Sequence, residues 1–423
     1  MTPEDNTYRA LVMVISLLIT LFSYWLICRK EGSWINWATP NFVFVVAAEY
    51  VFQFAYLLLF SGVGSEFAYT YCYATYAAIS LVGAVVFCFV KPMDLGAIKL
   101  RARGDSGLVA WFLLGLAFLV YAPILVEFRQ YLLEPRMIYG LTRVGYGLGY
   151  FGSTMLGDLS FCLYLFRQRK RVFFTVSFYL LYFMLIYLHG SKGQLFTPLF
   201  MMLLFRVYVN RKRISARLAV LILAAVSVFG VGSFAAYGSF QNVVEILQYM
   251  TQYADYTRNA MIVMDDPHGR TYYGRLALET LVYPHIPRAL MSDKPKDFGV
   301  LQLAKVYFPA SFRAEAGAPA FGVGEQYADF GPFAILILCA GSAATSWLAS
   351  SAIAFLRVNR HPSVFMLLLF LSGLSFIPAG TGYWLPETMI LALGVAFLLR
   401  YDLLPARLMG NFFVLERQAS VQE

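Results

Sequence analysis

Apolar runs of roughly 20 residues, the length of helix that crosses a hydrocarbon core, return again and again along this chain and constrain its fold more than any other feature. They occupy 9–28, 41–60, 71–90, 108–126, 146–166, 172–188, 195–209, 218–237, 332–356, 362–378 and 384–399. This predicts an all-α polytopic membrane protein with about eleven transmembrane helices, in a range of roughly 10–12, because a chain in lipid must satisfy its backbone hydrogen bonds within each segment. Composition points the same way: 60% of the residues are hydrophobic and 13% charged, against about 25% charged for a soluble domain. The net charge of +9 would suggest nucleic acid in a soluble protein. Here it is explained first by the basic bias of cytoplasmic loops, and no nucleic-acid partner is expected.

Alternate connections sort by Lys and Arg. One set carries Arg29 and Lys30; Lys91, Lys99, Arg101 and Arg103; Arg167, Arg169, Lys170 and Arg171; Arg211, Lys212, Arg213 and Arg217; Arg357 and Arg360; then Arg400, Arg407 and Arg417, almost without acids. In the other set, Arg129, Arg136 and Arg143 are partly balanced by Glu127 and Glu134; a short turn holds Lys192, and a long polar stretch mixes both signs. The bias predicts that the first set is cytoplasmic and the second lies across the membrane, with the N-terminus outside and the C-terminus inside. Glu4 and Asp5 precede the first apolar run and no small-residue cleavage site follows it, so that helix is expected to remain in the mature protein. The division expected is a helix bundle over 1–237, a polar subdomain over 238–330, further membrane helices over 331–402 and a cytoplasmic tail over 403–423.

The polar stretch 238–330 is the informative one. At about 90 residues it is too long for an idle connection, and its Gly, Pro, Tyr and Phe content suits an ordered site better than a disordered linker. The segment 240–264 reads as one helix, since Val243, Val244, Leu247, Met250, Tyr253 and Ala254 follow a three- and four-residue spacing. Pro267 and Gly269 then end it. A second short helix is expected over 275–283, and an amphipathic interfacial segment over 305–312.

Several basic residues fall where spans end on the outer side. Lys192 lies in HGSKGQ, where Gly190 and Gly193 permit close backbone approach; it either snorkels to the interface or faces an anion. Arg258, Arg270, Arg275, Arg288, Lys294 and Lys296 follow in the polar stretch. Arg288 stands out because Pro287 fixes the backbone before it and His285 is close by, and Lys294 precedes Pro295 in a similar setting. Such cations suit a lipid with a phosphate or pyrophosphate head, since a guanidinium pairs with phosphoryl oxygens and needs no metal to neutralise a departing pyrophosphate. A base for an acceptor hydroxyl would come from Glu325, His285, Asp255 or Glu279; alternatively Glu325 only stabilises the positive start of the span at 332–356. Gly380, Gly382 and Trp384 are placed at the outer mouth. His189, His268, His285 and His361 have no ligand spacing, no nucleotide-binding glycine loop occurs, and the five cysteines lie in or beside apolar runs. No metal, cofactor or disulfide is therefore expected.

With HGSKGQLFTPL at 189–199, YPHIPRALMSDKP at 283–295 and GVGEQYADFG at 322–331, the chain resembles the bacterial O-antigen and exopolysaccharide repeat-unit polymerases, the Wzy-type family. The resemblance implies a glycosyltransferase of the inner membrane, with Lys192, Arg288, Lys294 and Glu325 as site residues. It also implies a growing glycan on undecaprenyl pyrophosphate as donor and the non-reducing end of a lipid-linked repeat unit as acceptor, with a flippase and a chain-length regulator as partners. His285 joins the catalytic candidates, and Arg258, Arg275, Arg136 and Arg143 the pyrophosphate-binding ones. Alternatives are an O-antigen ligase-like transferase and a lipid-linked oligosaccharide transporter; the latter needs charges and broken helices near the midplane, where Glu49 is the exception in otherwise apolar runs. A third is a scaffold for synthase assembly.

Overall fold

The structure is a computed structural model, and it describes residues 3–60, 64–95, 100, 105–142, 146–167, 171–191, 194, 196–237, 242–283, 286, 290–295, 297–310, 312, 319–374 and 385–401. Among the described residues every regular element is a helix, with no strand. In chain order we number α1 (Pro3–Glu31), α2 (Thr39–Phe60, with a π-helical turn at Val46–Val51), α3 (Glu66–Phe89), α4 (Ser106–Glu127), α5 (Pro135–Leu141) and α6 (Gly147–Leu165). Next come α7 (Val172–His189), α8 (Thr197–Val209), α9 (Ala216–Tyr237), α10 (Val243–Tyr253), α11 (Tyr256–Met264) and α12 (Arg275–Val282). The last are α13 (Leu301–Tyr307), α14 (Gly324–Phe330), α15 (Ala334–Val358), α16 (Pro362–Leu371) and α17 (Leu385–Tyr401).

Every predicted apolar run holds a helix. Among the described residues six stretches are long and apolar enough to cross a membrane: Asn6–Glu31, Thr39–Phe60, Glu66–Phe89, Ser106–Glu127, Val172–His189 and Gly324–Val358. Of the remaining apolar helices, α8 and α16 are shorter. The run at 362–378 is the clearest departure, because α16 stops at Leu371, where Ser372 is followed by Gly373 in the left-handed region at φ 83°.

Two apolar cores organise most of the bundle, and a third joins α8 and α9 around Ile35, Phe200 and Ile214. The larger joins α4, α6, α7, α8, α15 and α16 around Phe161, Phe178, Tyr182 and Phe365. The smaller joins α1, α2 and α3 around Met13, Tyr50, Tyr69 and Tyr73. The α3–α15 contact ties the two together through small residues: a Cβ at Gly83 would lie 2.6 Å from Ser342 Oγ and 3.0 Å from Ser346 Oγ, the close approach that membrane helix pairs favour.

The contacts between connections follow the charge-sorted sets. At one end Glu31 meets Arg357 at 3.7 Å, Arg211 donates to the Arg357 carbonyl at 2.6 Å, and Trp34 and Ile214 share a backbone hydrogen bond. At the other end Ser65 meets Asp265, Tyr71 meets Pro332 and Ile335, and Arg136 meets Gly190.

The segment 240–264 is not one helix. It breaks at Ala254–Asp255 into α10, which packs on α2, and α11, which packs on α3 and α14; we call this bent pair the hairpin. Nor does the hairpin stay outside the bundle. Its upper end is fixed where Asp265 accepts from the Ser65 backbone N–H at 2.6 Å and from its hydroxyl at 2.5 Å. Its tip touches Glu49, Gln53 and Tyr76, and the ring of Tyr256 lies 5.7 Å from that of Phe44. Glu49 stands about 16 Å of helical rise from the end of α2, and Tyr76 about 15 Å from the start of α3. The tip therefore reaches about halfway down a hydrocarbon core of ~30 Å. Irregular backbone is tolerated at such depth only when protein surrounds it. Here Ala260, Met261 and Met264 enter the smaller bundle core, while Val263 faces the outer subdomain's own core with Leu276, Leu303, Ala304, Phe321 and Ala328. The helix over 275–283 is found as α12. In the segment expected over 305–312, α13 starts earlier and stops at Tyr307, and past Phe308 the chain is helical again at Pro309, Ala310 and Phe312.

Candidate functional site

The hairpin tip is a buried polar seam. Thr257 donates to the Glu49 carboxylate, and Tyr76 shares a 3.0 Å hydrogen bond with the same threonine hydroxyl. Tyr73 donates to the Glu49 carbonyl at 3.0 Å. One turn further along α2, Gln53 donates to the Ala254 carbonyl and accepts from Arg258 Nη1 at 3.1 Å. Arg258 also donates to the carbonyls of Thr251 at 3.0 Å and Gln252 at 2.7 Å, which α10 leaves unpaired at its C-terminal end. Its guanidinium lies 3.9 Å from the centre of the Tyr56 ring. The adjoining cavity, lined by Gln53, Tyr56, Tyr69, Tyr73 and Arg258, holds about 20 Å³, room for a water and far too little for a sugar. Arg258 is thus committed to closing the hairpin.

In the turn after α7, Gly190 permits the close approach expected of it, while Gly193 lies outside the described residues. Gly190 caps the helix at φ 64°, and a Cβ there would sit 2.2 Å from the Pro135 carbonyl oxygen. This approach sets α5 against the turn, with Arg136 Nη1 3.5 Å from the Gly190 carbonyl and its guanidinium over Tyr139 at 4.4 Å. Gln194 donates to Thr154 Oγ1 at 2.9 Å. His189 is 1% exposed, bonded at 2.7 Å through Nδ1 to the Leu185 carbonyl and through Nε2 to Ser153, with Tyr121 stacked on its face. Both ring nitrogens are occupied, so His189 is a strut. Lys192 lies outside the described residues, as do Arg143, His285, Arg288, Lys296, Gly380, Gly382, Trp384 and the tail.

In the outer subdomain, Glu279 holds structure. Its carboxylate accepts from Arg275 Nε at 2.6 Å, the Gly299 N–H at 2.9 Å and Gln302 at 2.5 Å. Asp329 accepts from the Leu276 and Ala277 N–H groups at the start of α12, at 3.0 and 2.7 Å. Arg275 is 64% exposed, and the Glu279 contact holds its already high pKa higher still. Lys294 donates to the Ile286 carbonyl at 3.0 Å and lies over Phe298 at 5.3 Å. Glu325 sits in the first turn of α14, at the outer start of the stretch Gly324–Val358, and Gly331 at φ 58° separates that short helix from α15; its carboxylate accepts a long 3.4 Å contact from the Phe321 N–H. Gly324 brings α14 hard against α11, since a Cβ there would lie 2.6 Å from the Ala260 Cα.

An open cleft of about 510 Å³ faces outward between Gly64, Ile262, Asp265, Asp266, Val306 and Tyr307, within the size range of ligand sites. Asp266 accepts from the His268 N–H and from the Tyr307 hydroxyl, both at 2.9 Å. These bonds hold its carboxyl below the usual range, while burial, and then the bond to Asp266, push the Tyr307 hydroxyl up. Two carboxylates and a tyrosine ring suit neutral hydroxyls and repel a pyrophosphate.

Sequence reading noticed Glu49 without ranking it, and missed Asp158. That acid is buried in the middle of α6 and accepts from Tyr182 at 2.8 Å. An ionisable residue inside an apolar run is the available signal. Both acids are bonded within the protein, and the cavity beside Glu49 offers no passage for an oligosaccharide.

A set of long apolar helices with shorter, more polar helices packed against it defines an all-α polytopic membrane protein. The chain is 36% identical over 385 residues to the O-antigen polymerase of Salmonella typhimurium, covering 90% of this chain and 93% of that one; the O-antigen polymerase of Salmonella typhi matches to the same extent. This chain belongs to the O-antigen polymerase family and is a polysaccharide-polymerising glycosyltransferase of the membrane. No protein-family model matches it. No solved structure does either.

Proposed function

We propose that the chain elongates polysaccharide at the periplasmic face of the bacterial inner membrane, moving a growing glycan from undecaprenyl pyrophosphate to the non-reducing end of a lipid-linked repeat unit. The observation that carries this reading, beside family membership, is the polar subdomain seated at the end of the bundle opposite the basic connections. The acceptor hydroxyl oxygen attacks the donor's anomeric carbon as the bond from that carbon to the pyrophosphate oxygen breaks. The hydroxyl proton passes to a base, and undecaprenyl pyrophosphate leaves with the bonding electrons.

Glu325, on the subdomain helix next to α11 and with few partners, is the base we favour, with His285 beside Arg288 as the other. Lys192, Arg136 and Arg143, with Arg275, Arg288 and Lys294 from the 238–330 stretch, meet the pyrophosphate. Arg258 serves by holding the hairpin. The acidic cleft at Asp265, Asp266 and Tyr307 takes the uncharged glycan. The units 1–237, 238–330 and 331–402 then act as bundle, site subdomain and closing helices, with 403–423 in the cytoplasm. A flippase supplies the repeat units and a chain-length regulator limits growth.

In liposomes holding the purified protein, lipid-linked repeat units should become a ladder of longer chains. Transfer of labelled lipid-linked sugar across the bilayer without growth would defeat the reading, and an intact ladder from Arg288→Ala would remove that residue's assignment.

A further inference from the structure

Glu49 lies mid-span on the turn Val46–Val51, where the helix widens to the π form that is frequent at functional positions. An acid at that depth is costly unless bonded. Its carboxylate is bonded to Thr257, and its backbone carbonyl to Tyr73. Gln53, one turn on and so on the same helix face, grips the Ala254 carbonyl at the hairpin's break and Arg258 just beyond it. This ledge on α2 therefore holds the hairpin at its deepest point. The grip is passed on without slack, because no side chain fits at Gly324 against Ala260 and Glu325 is the next residue.

We propose that Glu49 is a positioning residue for polymerisation: by bonding Thr257 it fixes the depth of the α10–α11 hairpin, and through α11 and α14 the place of Glu325 over the spans. The inference rests on the reading of Glu325 and the periplasmic site given above for the chemistry it serves; the grip on the hairpin stands on the contacts themselves. A carboxylate acting this way needs only an oxygen that accepts from Thr257, so an amide can replace it and a methyl group cannot.

The test uses the full chain in liposomes with lipid-linked repeat units and compares Glu49→Ala, Glu49→Gln, Thr257→Val and Thr257→Ser. Misplacing reacting groups by an ångström costs on the order of 100-fold in rate, so Glu49→Ala and Thr257→Val should lower turnover roughly 10- to 100-fold. The KM for the repeat unit should stay within about threefold, and Glu49→Gln and Thr257→Ser should keep most of the turnover. Hydrogen exchange on the same preparations should speed in 256–264 for the two disruptive variants and stay unchanged in α4 and α6. Full turnover in Glu49→Ala overturns the proposal, as does equal loss in Glu49→Gln, or lost turnover without faster exchange at 256–264. If the wild-type chain does not elongate pyrophosphate-linked units at all, the site reading falls. Faster exchange confined to the two disruptive variants then still establishes the grip.

Discussion

Gly190 and Asp266 show what single residues hold in place. At Gly190 a positive φ and a backbone oxygen within reach of any Cβ coincide, so Gly190→Ala should cost about 1–3 kcal/mol from the φ alone and more from the displaced α5. Thermal unfolding in detergent reads this, and an unchanged midpoint would contradict the packing. Asp266 tests electrostatics. Its folded pKa is depressed by two hydrogen bonds, so its stabilisation is present above the unfolded value of about 4 and is lost as pH falls through the lower folded one. The melting advantage of the wild type over Asp266→Asn should therefore shrink below about pH 4; an advantage constant from pH 7 to pH 3 would refute the assignment. Gly190 was legible in the sequence because two glycines flank a charge between apolar runs. Glu279 was misread as a base, since the Gly299 N–H and Gln302 that saturate it lie about 20 residues away along the chain. Asp158 was lost inside a run judged by its average.

At the scale of elements, the spans were legible and the hairpin was not. A run of apolar residues needs no partner to declare itself in lipid. The break at Ala254–Asp255 contains neither Gly nor Pro and no side-chain cap is formed by Asp255, so nothing local announces it. What makes the break is tertiary: Gln53 and Arg258 take up the backbone carbonyls that the bend releases. Helix contacts through small residues are equally silent in hydropathy. Gly83→Leu should force α3 from Ser342 and Ser346 on α15 at about 1–3 kcal/mol, read as lost folded yield against a Gly83→Ala control of smaller effect. Equal yields would argue that the two helices are not in contact at that level.

For the whole molecule, the charge bias predicted two faces, and the loop contacts fall into the same two groups. Which face is which can be measured. Cysteines placed at Arg270 and Lys212, both exposed, should react with a membrane-impermeant thiol reagent from opposite sides in intact and opened cells, Arg270→Cys from outside. Labelling of Lys212→Cys in intact cells would invert the topology and the site with it. Which cations the protein's own carbonyls already hold was not legible at this scale, because sequence lists basic residues without saying which are bonded, as Arg258 is.

The hairpin also sets an order of assembly. Its deep end is held by Glu49, Gln53 and Tyr76, some 200 residues earlier in the chain, and its outer face by Gly324 and Phe321, which are made later. Chain emerging as 242–264 therefore meets a waiting slot between α2 and α3, but has one face uncovered until 321–330 arrives. A ribosome paused before residue 320 would display that apolar face to chaperones, and release beyond it would hide the face in a single step.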